Sequence, residues 1–215
     1  MNIRNEILEP DCFYHIYNRG INGCKIFDTN ENYMFFLQKF AIYLDELCDI
    51  YCYCLMPNHF HFLLKVKPTS EIEEFAGKTL KYESKANVGL HSTINIVSKQ
   101  IGKFISSYSQ SYNKVAKRHG TLLESPFKRI KITSDEQLKN LILYIHSNPL
   151  DLGIEIEKYR FSSYQAIISK SDTKIKRNKV LEIFDDINNF IYCHKSLSKF
   201  KTLTKIISIK STVGY

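Results

Sequence analysis

Two apolar runs, residues 50–56 and 59–66, stand either side of a Pro57-Asn58 pair, and no other feature of the chain restricts the fold as much. Each run is long enough for a strand and the pair between them suits a tight turn, so the two form a hairpin. The second run opens His59-Phe60-His61-Phe62-Leu63-Leu64. Alternate residues of a strand point to opposite faces, so His59 and His61 share one face while Phe60 turns into the core. Two imidazoles at that spacing reach one divalent cation, which makes a metal half-site. A strand also carries paired histidines for solubility or hydrogen bonding, and the pair alone does not choose between these readings.

The neighbouring segments extend the hairpin into a sheet. Residues 12–17, CFYHIY, read as a short aromatic strand ended by Asn18-Arg19-Gly20. Residues 30–47 place Tyr33, Phe36, Leu37, Phe40, Ala41 and Leu44 on one helical stripe. The polar stretch 68–98 is weakly patterned, and 68–96 reads as an insertion or mobile segment with one short helix. Residues 101–117 form a second helix and 127–132 a strand. A third helix, 134–146, opens on a Ser134/Gln137 capping box with acids in its first turn. Strand, helix, strand, strand, helix, strand, helix is the order of an α+β, ferredoxin-like split βαβ sheet with helices on one face.

Tyr144 and Asn148 are four residues apart at the end of that third helix, so they lie one above the other if the last turn stays helical. Pro149 pushes Asn148 toward extended backbone and marks the helix end. Taken alone, the pair fits a core tyrosine and a C-terminal cap as well as it fits a site.

Four segments follow in a fixed order: YHIYNRG from Tyr14, CLMPNHFHFLL from Cys54, YIHSNP from Tyr144 and FSSY from Phe161. Together they resemble the single-tyrosine HUH transposases, and within them the REP-associated tyrosine transposases. The resemblance spans about residues 8–167. It implies an HUH-type nuclease fold for a catalytic domain of residues 1–167, with 168–215 as a basic C-terminal extension. It also implies that His59 and His61 hold a divalent metal, Mg2+ or Mn2+, and that Tyr144 attacks a phosphodiester. Asn148 then stands in the place of the third metal ligand, where the family's pattern has the longer glutamine. Tyr108, Tyr112 and Asn113 resemble a family helix segment whose aromatic residues stack on unpaired bases; core packing is the other reading for the tyrosines.

The implied chemistry is coherent on its own terms. In-line attack on a phosphodiester builds charge on the non-bridging and leaving oxygens, and a bound cation lowers that barrier. A phenol has an ordinary pKa of about 10, so a nearby cation favours its reactive form. The product, a 5′-phosphotyrosine beside a free 3′-hydroxyl, keeps the energy for rejoining. Two imidazoles, an amide oxygen and waters suit magnesium or manganese when substrate phosphates complete the shell, although nitrogen ligands also suit zinc.

Charge agrees with a polyanionic partner. There are 30 Lys and Arg against 22 Asp and Glu, a net of +8. Residues 169–215 carry 10 basic and 4 acidic side chains, a net of +6, and five lysines from Lys195 onward meet no acid. Arg19, Lys128, Arg129 and Lys131 are candidates for phosphate contact, with ordinary surface charge as the alternative. The six cysteines make no paired Cys-x-x-Cys knuckles and read as reduced thiols of a cytoplasmic protein. The N-terminal segment has no apolar leader core, and no apolar run reaches membrane-spanning length. The reading is therefore a metal-dependent endonuclease and strand transferase on single-stranded DNA hairpins from palindromic repeats, working as a monomer or homodimer. A non-cleaving nucleic-acid-binding protein of the same fold is the second reading, and a zinc domain built on the cysteines the third.

Overall fold

The computed structural model describes residues 6–80 and 93–199. They divide into two compact units: residues up to 49 with 55–132, and residues 50–54 with those from 133 onward.

The first unit is built on strands β1 (Phe13–Arg19), β2 (Cys48–Met56), β3 (His59–Val66) and β4 (Lys128–Ile132), in the spatial order β2-β3-β1-β4. β1 runs antiparallel to both β3 and β4. This is the split βαβ arrangement, with α1 (Asn30–Leu44) crossing between β1 and β2 and β3 inserted between those strands. The two-residue Pro57-Asn58 turn is held by the segment after β1: Gly20 N donates to the Asn58 carbonyl, and Ile26 N and Phe27 N to that of Pro57. Gly20 is needed at this crossing, because a Cβ there would lie 2.0 Å from the Cys24 carbonyl oxygen.

Helices α1 and α3 (Thr93–Val115) cover the Phe60 and Phe62 face of the sheet. Alternation in β3 supplies one wall of the core and the helical stripe Phe36, Phe40 supplies the other. Phe36 is fully buried, its ring 5.0 Å from Phe60 and 4.7 Å from Phe104, with the Tyr108 ring edge-on at 4.8 Å. Phe36→Ala removes the hub of this cluster and is expected to cost about 3–5 kcal/mol. A lowered urea midpoint at unchanged slope checks it.

Residues 69–80 supply the short helix expected in the 68–96 segment, α2 (Thr69–Leu80), which buries Ile72, Phe75 and Ala76 and packs against α3. Those three residues are spaced i, i+3, i+4, a single short stripe easily lost among acidic neighbours. Helix α3 starts at Thr93, eight residues earlier than the expected 101. Residues 81–92 of the expected insertion lie outside the described residues.

The second unit gathers α4 (Asp135–Ser147), α5 (Tyr164–Ile168), α6 (Arg177–Ile183) and α7 (Ile187–Lys199) around the 50–54 segment of β2. The expected basic extension carries two helices, 177–183 and 187–199, and it buries Val180, Phe184, Phe190 and His194. α4 and α7 pack together, and Tyr164 stacks on Phe190 at 5.6 Å. Among the described residues no helix is long and apolar enough to cross a membrane.

Candidate active site

Strand register decides which side chains share the face opposite the phenylalanines. Tyr17 sits across from His61, Arg19 from His59 and His15 from Leu63, and β4 adds Lys128 across from Tyr17. Directly opposed residues project from the same face, so His15, Tyr17, Arg19, His59, His61 and Lys128 line one surface of the sheet. The His59 and His61 rings are 5.1 Å apart and nearly perpendicular.

Each of the two imidazoles is held through its Nδ1. His59 Nδ1 lies 2.7 Å from Asn58 Oδ1, an acceptor, so this nitrogen carries the proton and Nε2 carries the lone pair. His61 Nδ1 lies 2.8 Å from His15 Nε2. Burial pushes the His15 pKa down to about 3, so that ring is neutral. An imidazole that donates through Nδ1 offers Nε2 to a metal, the arrangement usual in metal proteins. His59 thus offers Nε2 to a divalent cation, and His61 does the same in the tautomer that donates to His15. Among the described residues no three His, Cys, Asp or Glu side chains cluster to complete a shell, so further ligands would be amide, water or phosphate oxygens.

Tyr144 lies near the end of α4 in the second unit, with 6 % exposure. The helix starts where expected: Ser134 Oγ accepts from Gln137 N at 3.2 Å. Only half of the expected capping box forms, because Gln137 Oε1 takes its protons from Thr133 N and Oγ1 instead. At the other end Asn148 keeps right-handed helical angles, φ −52° and ψ −38°, and a 3-10 turn (Asn148–Leu152) continues from α4. The expectation that Pro149 drives it to extended backbone is corrected by its side chain: Nδ2 donates to the Tyr144 carbonyl at 3.0 Å and to that of Ile145 at 3.2 Å. These bonds hold Asn148 against the helix end, and leave Oδ1 as the atom through which any metal ligation would run.

Two residues beyond Tyr144, His146 starts a buried chain. His194 Nδ1 donates to the Phe190 carbonyl at 2.7 Å, which leaves His194 Nε2 to accept from His146 Nδ1 at 2.9 Å. His146 Nε2 then accepts from Ser163 Oγ at 2.8 Å, and Ser163 Oγ accepts from Tyr53 N at 2.8 Å. The two bonds accepted at a ring nitrogen, His194 Nε2 and His146 Nε2, require neutral rings. Burial holds His146 far below the ordinary histidine range and brings His194 down to about 4, the latter opposed in part by the Phe190 bond. Folded pKa values below the unfolded 6.5 mean that stability is complete above pH 6.5 and falls as the pH drops toward 4. His194 alone contributes a loss of about 3 kcal/mol over that interval. We expect the near-UV circular dichroism of the protein to weaken in urea as pH falls from 6.5 to 4, and His194→Phe to flatten that dependence.

The expected DNA-contacting side chains scatter. Arg19 and Lys128 lie on the histidine face and both reach Glu124, at 3.7 and 3.2 Å. Arg129 and Lys131, across from Ile16 and Tyr14, project from the other face. Arg129 is buried at 8 % exposure, stacked on Phe127 at 4.1 Å and donating to Ser98 Oγ at 2.8 Å. Lys131 pairs with Glu9 at 2.7 Å. Tyr112 is buried and its hydroxyl donates to Asp28, while Asn113 donates to the Gly120 carbonyl at 2.8 Å and accepts from Arg118 at 3.0 Å. Tyr108 is likewise buried, bonded to the Ile26 carbonyl. From sequence His15 lies on the first strand, pointing to the site or to DNA, while Tyr17 and Asn58 receive no role of their own. Alternation along β1 already puts His15, Tyr17 and Arg19 on one face, and only the pairing of β1 with β3 brings that face to the histidine pair.

No protein-family model matches the chain, and no curated protein does. The fold is shared with a solved REP-associated tyrosine transposase bound to a REP hairpin, at a TM-score of 0.51 and 13 % identity, over 79 % of this chain and 87 % of that one. A bacterial tRNA(His) guanylyltransferase-like protein in complex with GTP aligns at a TM-score of 0.35 and 10 % identity, over 87 % of this chain and 74 % of that one. The tRNA(His) guanylyltransferase of Saccharomyces cerevisiae aligns at 0.40 and 14 %, over 88 % and 80 %. The chain therefore has the α+β fold of the hairpin-bound transposase, a four-stranded antiparallel sheet with helices.

Proposed function

We propose that the protein is a metal-dependent endonuclease and strand transferase acting on single-stranded DNA that carries a hairpin. The observation that carries this reading is the placement of His59 and His61 side by side on one sheet face, their rings 5.1 Å apart and each contacted at Nδ1. The hairpin substrate is taken from the structural neighbour, which is bound to a REP hairpin. His59 and His61, with Asn148 Oδ1 as the third candidate, would hold Mg2+ or Mn2+, and the cation would supply charge withdrawal at the scissile phosphate. The Tyr144 oxygen attacks phosphorus as its proton leaves to solvent. The Tyr144 O–P bond forms, the P–O3′ bond breaks, and the leaving 3′-oxygen takes up a proton. The 5′-phosphotyrosine is resolved by attack of a 3′-hydroxyl, so no water is consumed. Lys128 and Arg19, on the histidine face, exchange the Glu124 carboxylate for backbone phosphates.

The test is incubation of a labelled hairpin oligonucleotide having single-stranded flanks with the protein and manganese, followed by denaturing electrophoresis. A covalent protein–DNA band that chelator abolishes is expected. DNA retained equally in chelator, with no nicking at any metal concentration, would instead identify a binding protein.

A further inference from the structure

We infer that His15 is a positioning residue for the metal centre, fixing His61 in the tautomer that carries its proton on Nδ1 so that Nε2 is presented as the ligand. This rests on the metal reading proposed above. His15 Nε2 and His61 Nδ1 are 2.8 Å apart, and both rings are buried. One proton lies between them, and it belongs to one ring or the other. If His15 holds it, His61 must carry its own proton on Nε2 and has no lone pair left for a cation at that atom. If His61 holds it, Nε2 is a ligand and His15 serves as the acceptor that most metal-binding histidines find in a carboxylate or carbonyl.

Ring packing fixes the plane in which His61 presents that nitrogen. His15 stacks on Tyr17 at 4.6 Å and 22°, and Tyr17 in turn lies 5.7 Å and 20° from His61. His15 and His61 are themselves nearly parallel, at 21°. Three near-parallel rings on adjacent strands set the plane of His61 before any metal arrives. His59 obtains the equivalent service locally, from the Asn58 carboxamide at 2.7 Å. The centre thus has one anchor from the turn and one from across the sheet, and only the second depends on strand pairing.

The experiment uses the full chain free of metal and then titrated with manganese. Long-range proton–nitrogen correlation spectra of the metal-free protein should show His61 protonated at Nδ1, and His15→Phe should move it toward the Nε2-protonated form common for unanchored imidazole. Manganese affinity, read by titration calorimetry, should fall by roughly 10–100-fold in His15→Phe. His15→Gln, whose side-chain oxygen supplies an acceptor at a similar reach, should recover most of it. His59→Ala serves as the control that loses manganese without changing the His61 tautomer. Wild-type His61 protonated at Nε2, or unchanged manganese affinity in His15→Phe, overturns the inference while leaving the metal reading intact. Wild-type protein that binds no manganese overturns the metal reading itself, and the inference with it. If His15→Phe does not fold, the wild-type spectrum and His15→Gln still decide.

Discussion

Tyr144→Phe is expected to abolish the covalent protein–DNA adduct while leaving hairpin binding and manganese binding as they are. The substitution removes one oxygen and keeps the ring, so the packing of α4 changes little although the side chain is only 6 % exposed. The fold should lose less than about 1 kcal/mol. The chemistry, by contrast, loses its nucleophile, and removal of a covalent nucleophile typically costs roughly 10^4-fold or more. Adduct yield on denaturing gels, with binding followed in parallel by anisotropy of the same oligonucleotide, separates the two effects. An adduct that persists in Tyr144→Phe would show that another side chain attacks, and would remove α4 from the mechanism.

The sequence exposes some of this arrangement and conceals the rest for definite reasons. The His59 and His61 strand is legible because a strand's period of two is unambiguous where apolar residues alternate, and a two-residue turn leaves one register. Its hydrogen-bond partner from β1 is not legible, because the pairing of Tyr17 with His61 joins residues 44 apart in the chain. Non-local register also decides the basic residues of β4. Lys128 and Arg129 are adjacent, yet alternation sends one to the histidine face and the other into contact with Ser98. For Tyr112 the choice between base stacking and core packing turns on Asp28, 84 residues away, which accepts from its hydroxyl. Asn148 departs from the usual rule for a residue before proline because its amide bonds two carbonyls of its own helix, a local interaction that backbone statistics alone do not include.

Replacing the two histidines proposed to hold the metal should separate catalysis from folding. His59 is partly exposed and bonded to the side chain of its sequence neighbour, so His59→Ala removes a ligand without opening a core. Its expected cost to stability is within about 1 kcal/mol. His61 is 2 % exposed and bonded to buried His15, so His61→Ala leaves a cavity and removes the bond at His15 Nε2. It should cost about 2–4 kcal/mol in addition to the ligand. On the proposed mechanism both variants should lose the cation that would stabilise charge on the scissile phosphate. A loss of several kcal/mol of transition-state stabilisation corresponds to a single-turnover rate roughly 10^3-fold slower in manganese. Urea unfolding and cleavage rates measured on the same preparations should therefore be coupled in His61→Ala and uncoupled in His59→Ala. If His59→Ala cleaves in manganese at the wild-type rate, the histidine pair does not hold a catalytic cation, and its hydrogen bonds are simply those of a sheet.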